Sequence, residues 1–594
     1  MNDYEMYLGY DFETDIDIPV TEHTERRLLG VTFPDTYMIS KDYITPVKKQ
    51  YAGNCWTFAA MAMFESYLLK EGKTHKGQSN SIFSETHVTY SIFDIRDSSG
   101  KTENPEGLVA IEVNGKQKVG GNRTYVQSYI AKRNGVVLED VDCNYLSVNN
   151  KKFKHRKNDI TQKKKRQYDV AEYRFLENPV IPNDPTFINN IKYALQNYGI
   201  VTIGIEYASK YRQKLVDTTY GTTLTYYKNS NDKSPSGHAL AIVGWDDNFP
   251  KDHFLIKPKR NGAFKMKNSW GEGGDYGDGY VWVSYENVGF RGAAYLTELY
   301  ERDNIPCQVY THSKVGMASH YPKDPQYTKI SFSDTFTTKE EDEKISEIGL
   351  CNCTPCLADV EIEINNQKQT LLSNIFLNEP GYHLYSVTVA PLPQNTSYTI
   401  HVTYKSTSPL TCVFVPMEYK FTSANLQNKY ENIDTASMTG KIEGKTIKDI
   451  NNTLNTNYGN IALYVYTTCE NDTTKAILFT YKNMTLPSLI ENGRIDNLCT
   501  TYKTQTGVDV PIEWHLEPFH YETYCYGTYN APVAMYHTKS TCGVVNLTQS
   551  TVKTYLTALI GTGAYQMRKQ FVVDMPAKSN TYSFHVSEIK KKTM

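Results

Sequence analysis

The sequence lacks the features that mark membrane proteins and nucleic-acid-binding proteins. No stretch approaches the roughly 18 consecutive apolar residues that a membrane-spanning helix needs, so no transmembrane segment is predicted. The 63 Lys and Arg residues nearly balance the 65 Asp and Glu residues, and no basic excess points to nucleic acid as a partner. The start is acidic and polar, without the basic and apolar regions of a secretion signal, which taken literally predicts a cytoplasmic chain.

The 11 cysteines form no recognisable metal site. Cys351, Cys353 and Cys356 are close in sequence, but a structural zinc site needs four ligands and no histidine lies nearby. We expect the cysteines outside the N-terminal half to be buried thiols or disulfides, with zinc as the remaining alternative. No cofactor is predicted.

The length of 594 residues favours two to four domains. Residues 1–30 resemble an extension, and residues 31–300 mix helical and strand patterns. Residues 301–470 alternate polar and apolar positions in short strands, as in a β-sandwich. Residues 471–594 are strand-rich with a helix predicted near 550–560, and their role is unknown. The predicted fold class is therefore a multidomain chain, with an α+β domain followed by all-β sandwich structure.

A reactive cysteine is predicted at the start of a buried helix. The segment CWTFAAMAMFESYLLKEG (55–72) is apolar nearly all round and ends at Gly72, which indicates a helix inside the core. Cys55 is its first residue, after the turn-prone Ala52-Gly53-Asn54. A helix N-terminus lowers the pKa of a thiol, and the thiolate is the attacking form.

Three segments together resemble the papain family of cysteine peptidases. They are PVKKQYAGNCWTFA (46–59), GHALAIVGWDDN (237–248) and KNSWGEGGDYGDGYVWVSY (267–285), and they follow one another in the family's order. Weaker matches extend the resemblance through nearly all of residues 34–300. The resemblance implies a papain-like α+β fold and an endopeptidase whose substrate is a polypeptide.

The resemblance also implies a catalytic triad. Cys55 would attack the scissile carbonyl and form a thioester, and His238 would exchange protons with the thiol, the leaving amine and water. Asn268 would orient the imidazole of His238. Trp270 would shield the hydrogen bond between these two side chains from water.

Three further residues are predicted to contact the substrate. By the same resemblance, Gln50 would donate to the oxyanion beside the Cys55 backbone N–H, and Gly120 and Gly121 would pair with the substrate backbone. Here Gln50 is five residues before the cysteine instead of the usual six, which leaves the oxyanion geometry open. Residues 1–30 are too few for the helical propeptide of papain relatives, so control of activity is expected elsewhere or not at all.

The second half narrows the resemblance to the microbial branch of the family, in which a lectin-like β-domain follows the peptidase. This branch implies an extracellular or cell-surface location and makes a cell-surface glycan or the cell wall a further partner of the β-domain. Two alternatives stay open: a surface-binding or adhesive protein with a weak peptidase domain, and acyl transfer by the same triad. Assays of peptide hydrolysis, glycan binding and amine ligation distinguish them.

Overall fold

The computed structural model is mainly β-structure. It describes residues 8–12, 14–18, 32–74, 82–94, 107–110, 112–113, 116–117, 119–139, 168–230, 236–301, 308–407, 411–419, 430–431, 439–456 and 458–469, together with the strands between residues 476 and 592. No helix in this described part is long and apolar enough to cross a membrane.

The α-helices in the described residues are α1 (Cys55–Lys70), α2 (Glu85–Ile92), α3 (Arg123–Ala131), α4 (Pro185–Tyr198) and α5 (Ile447–Leu454). Helix α1 is buried over all but its last residue, as its apolar composition predicts. The other four begin at side-chain caps, at Ser84, Asn122, Asp184 and Thr446. The helix predicted at 55–72 is confirmed.

The strands of the first half are β1 (Thr36–Met38), β2 (Phe93–Asp94), β3 (Leu108–Ala110), β4 (Glu112–Val113), β5 (Lys116–Gln117), β6 (Tyr168–Phe175), β7 (Val201–Tyr207), β8 (Arg212–Asp217), β9 (Gly221–Tyr226), β10 (Ser236–Asp246), β11 (Ala263–Lys267), β12 (Tyr280–Ser284) and β13 (Phe290–Glu301). Strands β7, β10, β11 and β12 are neighbours in one sheet, and the three pairings between them are antiparallel. Strand β10 also packs against helix α1, so this sheet and this helix enclose the predicted site.

The next strands are β14 (Val309–Tyr310), β15 (Ser319–Tyr321), β16 (Lys329–Thr337), β17 (Glu343–Asn352), β18 (Cys356–Ile364), β19 (Gln367–Leu377), β20 (Gly381–Ser386), β21 (Ser397–Ser406), β22 (Val415–Tyr419), β23 (Tyr430–Glu431), β24 (Lys441–Ile442), β25 (Lys445–Thr446), β26 (Tyr458–Ile461) and β27 (Leu463–Cys469). Burial alternates along β16, β18 and β21, which belong to one six-stranded sheet. Their inward side chains share a core with those of β17 and β27 from the largest sheet, so the two sheets form a sandwich.

One sheet runs through both halves of the chain. Its order is β14-β27-β17-β20-β6-β13-β7-β10-β11-β12-β9-β8, with β1 added beside β10. Strand β20 of the sandwich pairs with β6 of the first half, in the register Tyr382 to Tyr173. The α+β structure followed by a β-sandwich confirms the predicted fold class, while the domain boundaries stay predictions.

The tail contains β28 (Ala476–Thr480), β29 (Asn483–Pro487), β30 (Thr501–Lys503), β31 (Asp509–Pro518), β32 (Val533–His537), β33 (Cys542–Asn546), β34 (Thr551–Ile560), β35 (Met567–Pro576), β36 (Thr581–His585) and β37 (Glu588–Lys592). The prediction of a helix near 550–560 is wrong, because this stretch is strand β34. It pairs with β31 on one side and β35 on the other, and two complete ladders satisfy the backbone as well as a helix would. Its β-branched residues also favour a strand.

Candidate active site

Cys55 is the first residue of α1 and is completely buried. No acidic side chain lies in the first turn of the helix, so nothing there opposes the positive end of the helix dipole. Its sulfur accepts a hydrogen bond from the backbone N–H of Ala239, at 3.3 Å. Because Ala239 directly follows His238 in β10, the predicted nucleophile and the predicted base lie next to each other.

His238 is held by Asn268, which follows β11. His238 Nε2 lies 2.8 Å from Asn268 Oδ1, and that oxygen also accepts from the backbone N–H of Ser269. An oxygen in this position requires the proton on Nε2, which leaves the lone pair on Nδ1. His238 Nδ1 is buried and has no hydrogen-bond partner in the described part of the chain. The imidazole therefore keeps one nitrogen available for proton exchange.

Trp270 covers the histidine. Its ring stacks on that of His238 with 4.7 Å between centroids and 17° between planes. Tyr207 meets both rings edge-on, at 6.0 Å from the histidine and 5.3 Å from the tryptophan. This packing fixes the plane of the imidazole and surrounds its bond to Asn268 with aromatic surface.

Gln50 lies in a buried hydrogen-bond group beside Asn268. Its backbone N–H donates to Ser269 O at 2.8 Å, and its side-chain oxygen accepts from the Ser269 hydroxyl. Its side-chain nitrogen donates to Ala52 O at 2.8 Å. The side chain is thus fixed near the turn that precedes Cys55, and its role towards an oxyanion stays a prediction.

Residues 8–12 and 14–18, which we call the N-terminal segment, lie in the cleft between Gly121 and Gly237. Tyr10 N–H donates to Gly237 O at 3.0 Å, Gly121 N–H donates to Gly9 O at 2.8 Å, and Asp11 N–H donates to Gly121 O at 3.0 Å. At Tyr10 the segment runs parallel to the chain around Gly121 and antiparallel to the chain around Gly237. The sequence analysis placed residues 1–30 outside the peptidase domain, whereas residues 9–11 bond to Gly121 and Gly237 beside the predicted site.

Gly9 fits only as glycine. A Cβ atom on Gly9 would lie 1.6 Å from Gly53 O, in the turn before Cys55. Gly120 also lies near this segment, since a Cβ atom there would lie 3.0 Å from Gly9 O. Of the two predicted substrate-binding glycines, Gly121 makes the backbone hydrogen bonds and Gly120 provides the close approach.

Burial favours the neutral forms of Cys55 and His238. Burial raises the pKa of the Cys55 thiol to about 11, although backbone N–H groups of Ala239 and Gly9 act in the opposite direction. Burial also lowers the pKa of His238 to about 4, against the effect of its bond to Asn268. Burial therefore favours the neutral thiol and the neutral imidazole, whereas the attacking form predicted from the sequence is the thiolate.

Two side chains at the start of α3 anchor the segment. Asn122 Nδ2 donates to Asp11 O at 2.8 Å and to Thr14 Oγ1 at 2.9 Å. Arg123 Nε donates to Asp15 Oδ1 at 3.0 Å, and another of its nitrogens donates to Ile16 O at 2.8 Å. The sequence analysis missed these residues, because they carry no signal beyond following Gly120-Gly121.

A cluster of charged side chains lies around Glu65 of helix α1. We call it the charge cluster and define it as Lys48, Glu65, Glu85, Glu139 and Lys267. Lys48 Nζ lies 2.7 Å from Glu85, 3.4 Å from Glu65 and 3.3 Å from Glu139. Burial raises the pKa of Glu85 to about 7 and lowers that of Lys267 to about 8. The polar residue Glu65 inside an otherwise apolar helix was a sequence signal for this cluster.

The cysteines with described side chains form no disulfides. Cys351, Cys353, Cys356 and Cys412 are unpaired, and the first three are buried with pKa values raised by burial. No group of His, Cys, Asp and Glu side chains in the described ranges could hold a metal ion. The three clustered cysteines are buried thiols in this structure, and the absence of a zinc site stays a prediction.

Comparisons with known proteins agree with this geometry. The model of the papain family cysteine protease matches residues 34–296. No curated protein matches the sequence. Among solved structures, the clostridial cysteine protease Cwp84 after propeptide cleavage is 21% identical, with a TM-score of 0.55, and the match covers 72% of this chain and 97% of that chain.

A second structure contains the cysteine protease and lectin-like domains of Cwp84, a surface layer associated protein of Clostridium difficile. It is 20% identical, with a TM-score of 0.56, and the match covers 79% of this chain and 94% of that chain. At this identity the likeness shows a shared fold across both halves. Residues 34–296 therefore form a papain family cysteine peptidase domain, and a β-sandwich follows it in the chain.

Proposed function

We propose that this chain is an endopeptidase in which Cys55, His238 and Asn268 form the catalytic triad. One observation carries the proposal: among the described residues the buried His238 Nδ1 has no partner, while Nε2 is held by Asn268 and the Cys55 sulfur bonds to the adjacent Ala239 N–H. A buried polar atom without a partner is costly, and such atoms persist where a reaction uses them.

The reaction follows from these positions. His238 Nδ1 takes the proton of the Cys55 thiol, and the thiolate attacks the scissile carbonyl carbon. The tetrahedral intermediate collapses as the imidazolium gives its proton to the leaving amine, which leaves a thioester on Cys55. His238 then takes a proton from water, the hydroxide attacks the thioester carbonyl, and the carboxylic acid product leaves as the thiol is restored.

Other residues would stabilise and orient these steps. The Cys55 backbone N–H and the Gln50 side chain are the proposed oxyanion donors; loss of one such donor typically costs about 3 kcal/mol. Asn268 and Trp270 keep the imidazole in its plane, as their hydrogen bond and stacking contact suggest. Gly121 would offer a substrate the backbone groups that now bind Gly9 and Asp11.

We also propose that the full chain is latent. Residues 8–12 fill the cleft where a substrate would lie, and the anchors at Asn122 and Arg123 hold them there. The segment runs in a single direction past Cys55 and buries both reacting groups in their neutral forms. Displacing it would admit water and substrate together.

A cell-surface location is proposed for the chain, because the similar Cwp84 is a surface layer associated protein. A glycan or the cell wall is then a proposed partner of the β-sandwich. Pulldown of the full chain with purified cell wall tests this partner. Retention that free oligosaccharides compete away is expected, and no retention would contradict it.

Labelling with a thiol-reactive epoxide tests the triad. The substitution Gly9→Val releases the segment, and in this background one label per chain is expected together with cleavage of casein. Cys55→Ala should lose both, whereas Cys412→Ala, which removes a half-buried unpaired thiol, should keep both. Retained labelling in Cys55→Ala would overturn the assignment, and ligated product with an added amine would indicate acyl transfer.

A further inference from the structure

The cleft contains a deep side-chain pocket that Tyr10 fills. The ring of Tyr10 is buried, and the backbone of the same residue bonds to Gly237, next to His238. The residue before it, Gly9, lies against the turn that carries Cys55. The pocket is therefore one residue away from the reactive thiol, within the cleft that the proposed peptidase reaction uses.

Two glycines make room for the ring. A Cβ atom on Gly204 in β7 would lie 2.5 Å from Tyr10 Cε1, and one on Gly292 in β13 would lie 1.7 Å from the Tyr10 hydroxyl oxygen. Any other residue at these positions would shorten the pocket. The pocket has the length of a tyrosine side chain because both positions lack side chains.

A buried arginine lies beyond the hydroxyl. Tyr10 OH donates to Asp15 Oδ2 at 2.8 Å, and Arg123 Nε donates to the other Asp15 oxygen at 3.0 Å. Arg123 is also fixed from the far side by the carbonyls of Leu176 and Ala293, at 2.7 and 2.9 Å. When the segment leaves, Asp15 leaves with it, while these two carbonyls keep the guanidinium in place.

The vacated pocket would then combine an aromatic-sized space with unmatched donors. Arg123 would lose its bonds to Asp15 and Ile16, and buried charged donors need an acceptor. The oxygen of a tyrosine can supply it, directly or through one bridging water in the space of the Asp15 carboxylate. A phenylalanine would fill the space and leave the donors unmatched.

We propose that this pocket is the substrate subsite beside the reactive thiol and that it selects tyrosine, with Gly204 and Gly292 setting its size and Arg123 recognising the phenolic oxygen. This inference rests on the proposed endopeptidase function and names the substrate class of that same site.

Competition between peptides tests the selectivity in the full-length Gly9→Val, Tyr10→Ala variant, in which the segment no longer fits. Peptides that differ at one position, with Tyr, Phe or Val there, compete in one reaction, and mass spectrometry gives the ratio of their kcat/KM values. We expect tyrosine at one fixed distance from the cleaved bond, favoured about tenfold over Phe and more over Val. Because both substrates share one enzyme, the ratio does not depend on how much of a variant is folded.

Two substitutions separate the parts of the pocket. Gly204→Val should lower the Tyr to Val ratio at least tenfold, and Arg123→Met should bring the Tyr to Phe ratio close to one. Val216→Ala, on an exposed position of β8, is the control for an unchanged ratio. Turnover without a preference for tyrosine would overturn this inference alone. So would a Tyr to Val ratio that Gly204→Val leaves unchanged. No turnover and no Cys55 labelling would overturn the proposed function as well.

Discussion

Two buried polar groups lie along helix α1, and they differ in how their atoms are paired. At the start of the helix, His238 Nδ1 and Trp270 Nε1 are buried without partners in the described structure. About three turns further, Lys48 of the charge cluster lies 3.4 Å from Glu65 and 2.7 Å from Glu85, and among the described residues only Oε2 of Glu85 in this cluster is buried without a partner. We infer that the ion pairs of the charge cluster stabilise the fold, while His238 Nδ1 is kept available for proton transfer.

The largest effect on turnover should come from the unpaired group. Asn268→Ala in the Gly9→Val background removes the acceptor that fixes the His238 tautomer, so kcat should fall on the order of 100-fold while the melting temperature changes little. Steady-state kinetics and thermal unfolding measure both. If Asn268→Ala lowers the melting temperature and leaves kcat unchanged, the group around His238 would serve stability and not turnover, which contradicts the comparison.

The second effect concerns the segment over this group. Gly9→Val places side-chain atoms where Gly53 O already lies, so the segment should leave the cleft. Peptidase activity should rise at least about tenfold over the unsubstituted chain, because each 1.4 kcal/mol lost from the segment's binding changes the open fraction by that factor. Thr14→Val, which removes one anchor bond to Asn122, should give a smaller rise. Equal activity in all three chains would contradict latency.

The smallest effect on turnover should come from the paired group. Lys48→Met leaves buried carboxylates of Glu65 and Glu85 without their cation, which should cost about 3 kcal/mol of the free energy of unfolding. Turnover per folded molecule should change less than about threefold. Denaturant unfolding and active-site titration separate the two quantities, and Lys257→Met, from an exposed ion pair, is the control.

How much the sequence predicts depends on what holds each part together. Helix α1 and strands β10 and β11 follow from side-chain patterns, and the motifs on them predict which residues should meet. The backbone of Gly9 and Tyr10 bonds to Gly121 and Gly237, and these bonds leave no sequence signal because any sequence has such groups.

Tertiary pairing also decided what local pattern could not. The stretch Thr551–Ile560 has a helix-like apolar spacing, yet it lies between two strands that satisfy its backbone. Likewise, the pairing of β20 with β6 joins residues about 200 positions apart in the chain, at Tyr173 and Tyr382. Neither contact has a local signal.

The most direct test is the pH dependence of Cys55 alkylation by iodoacetamide. In the unsubstituted chain the covered thiol, with its pKa raised to about 11, should react slowly at pH 7 and faster as the pH rises towards that value. In Gly9→Val, an imidazole partner in an open cleft should give rapid alkylation already at pH 7, with little further gain above it. Identical pH profiles for the two chains would contradict the account of a reactive pair kept neutral by residues 8–12.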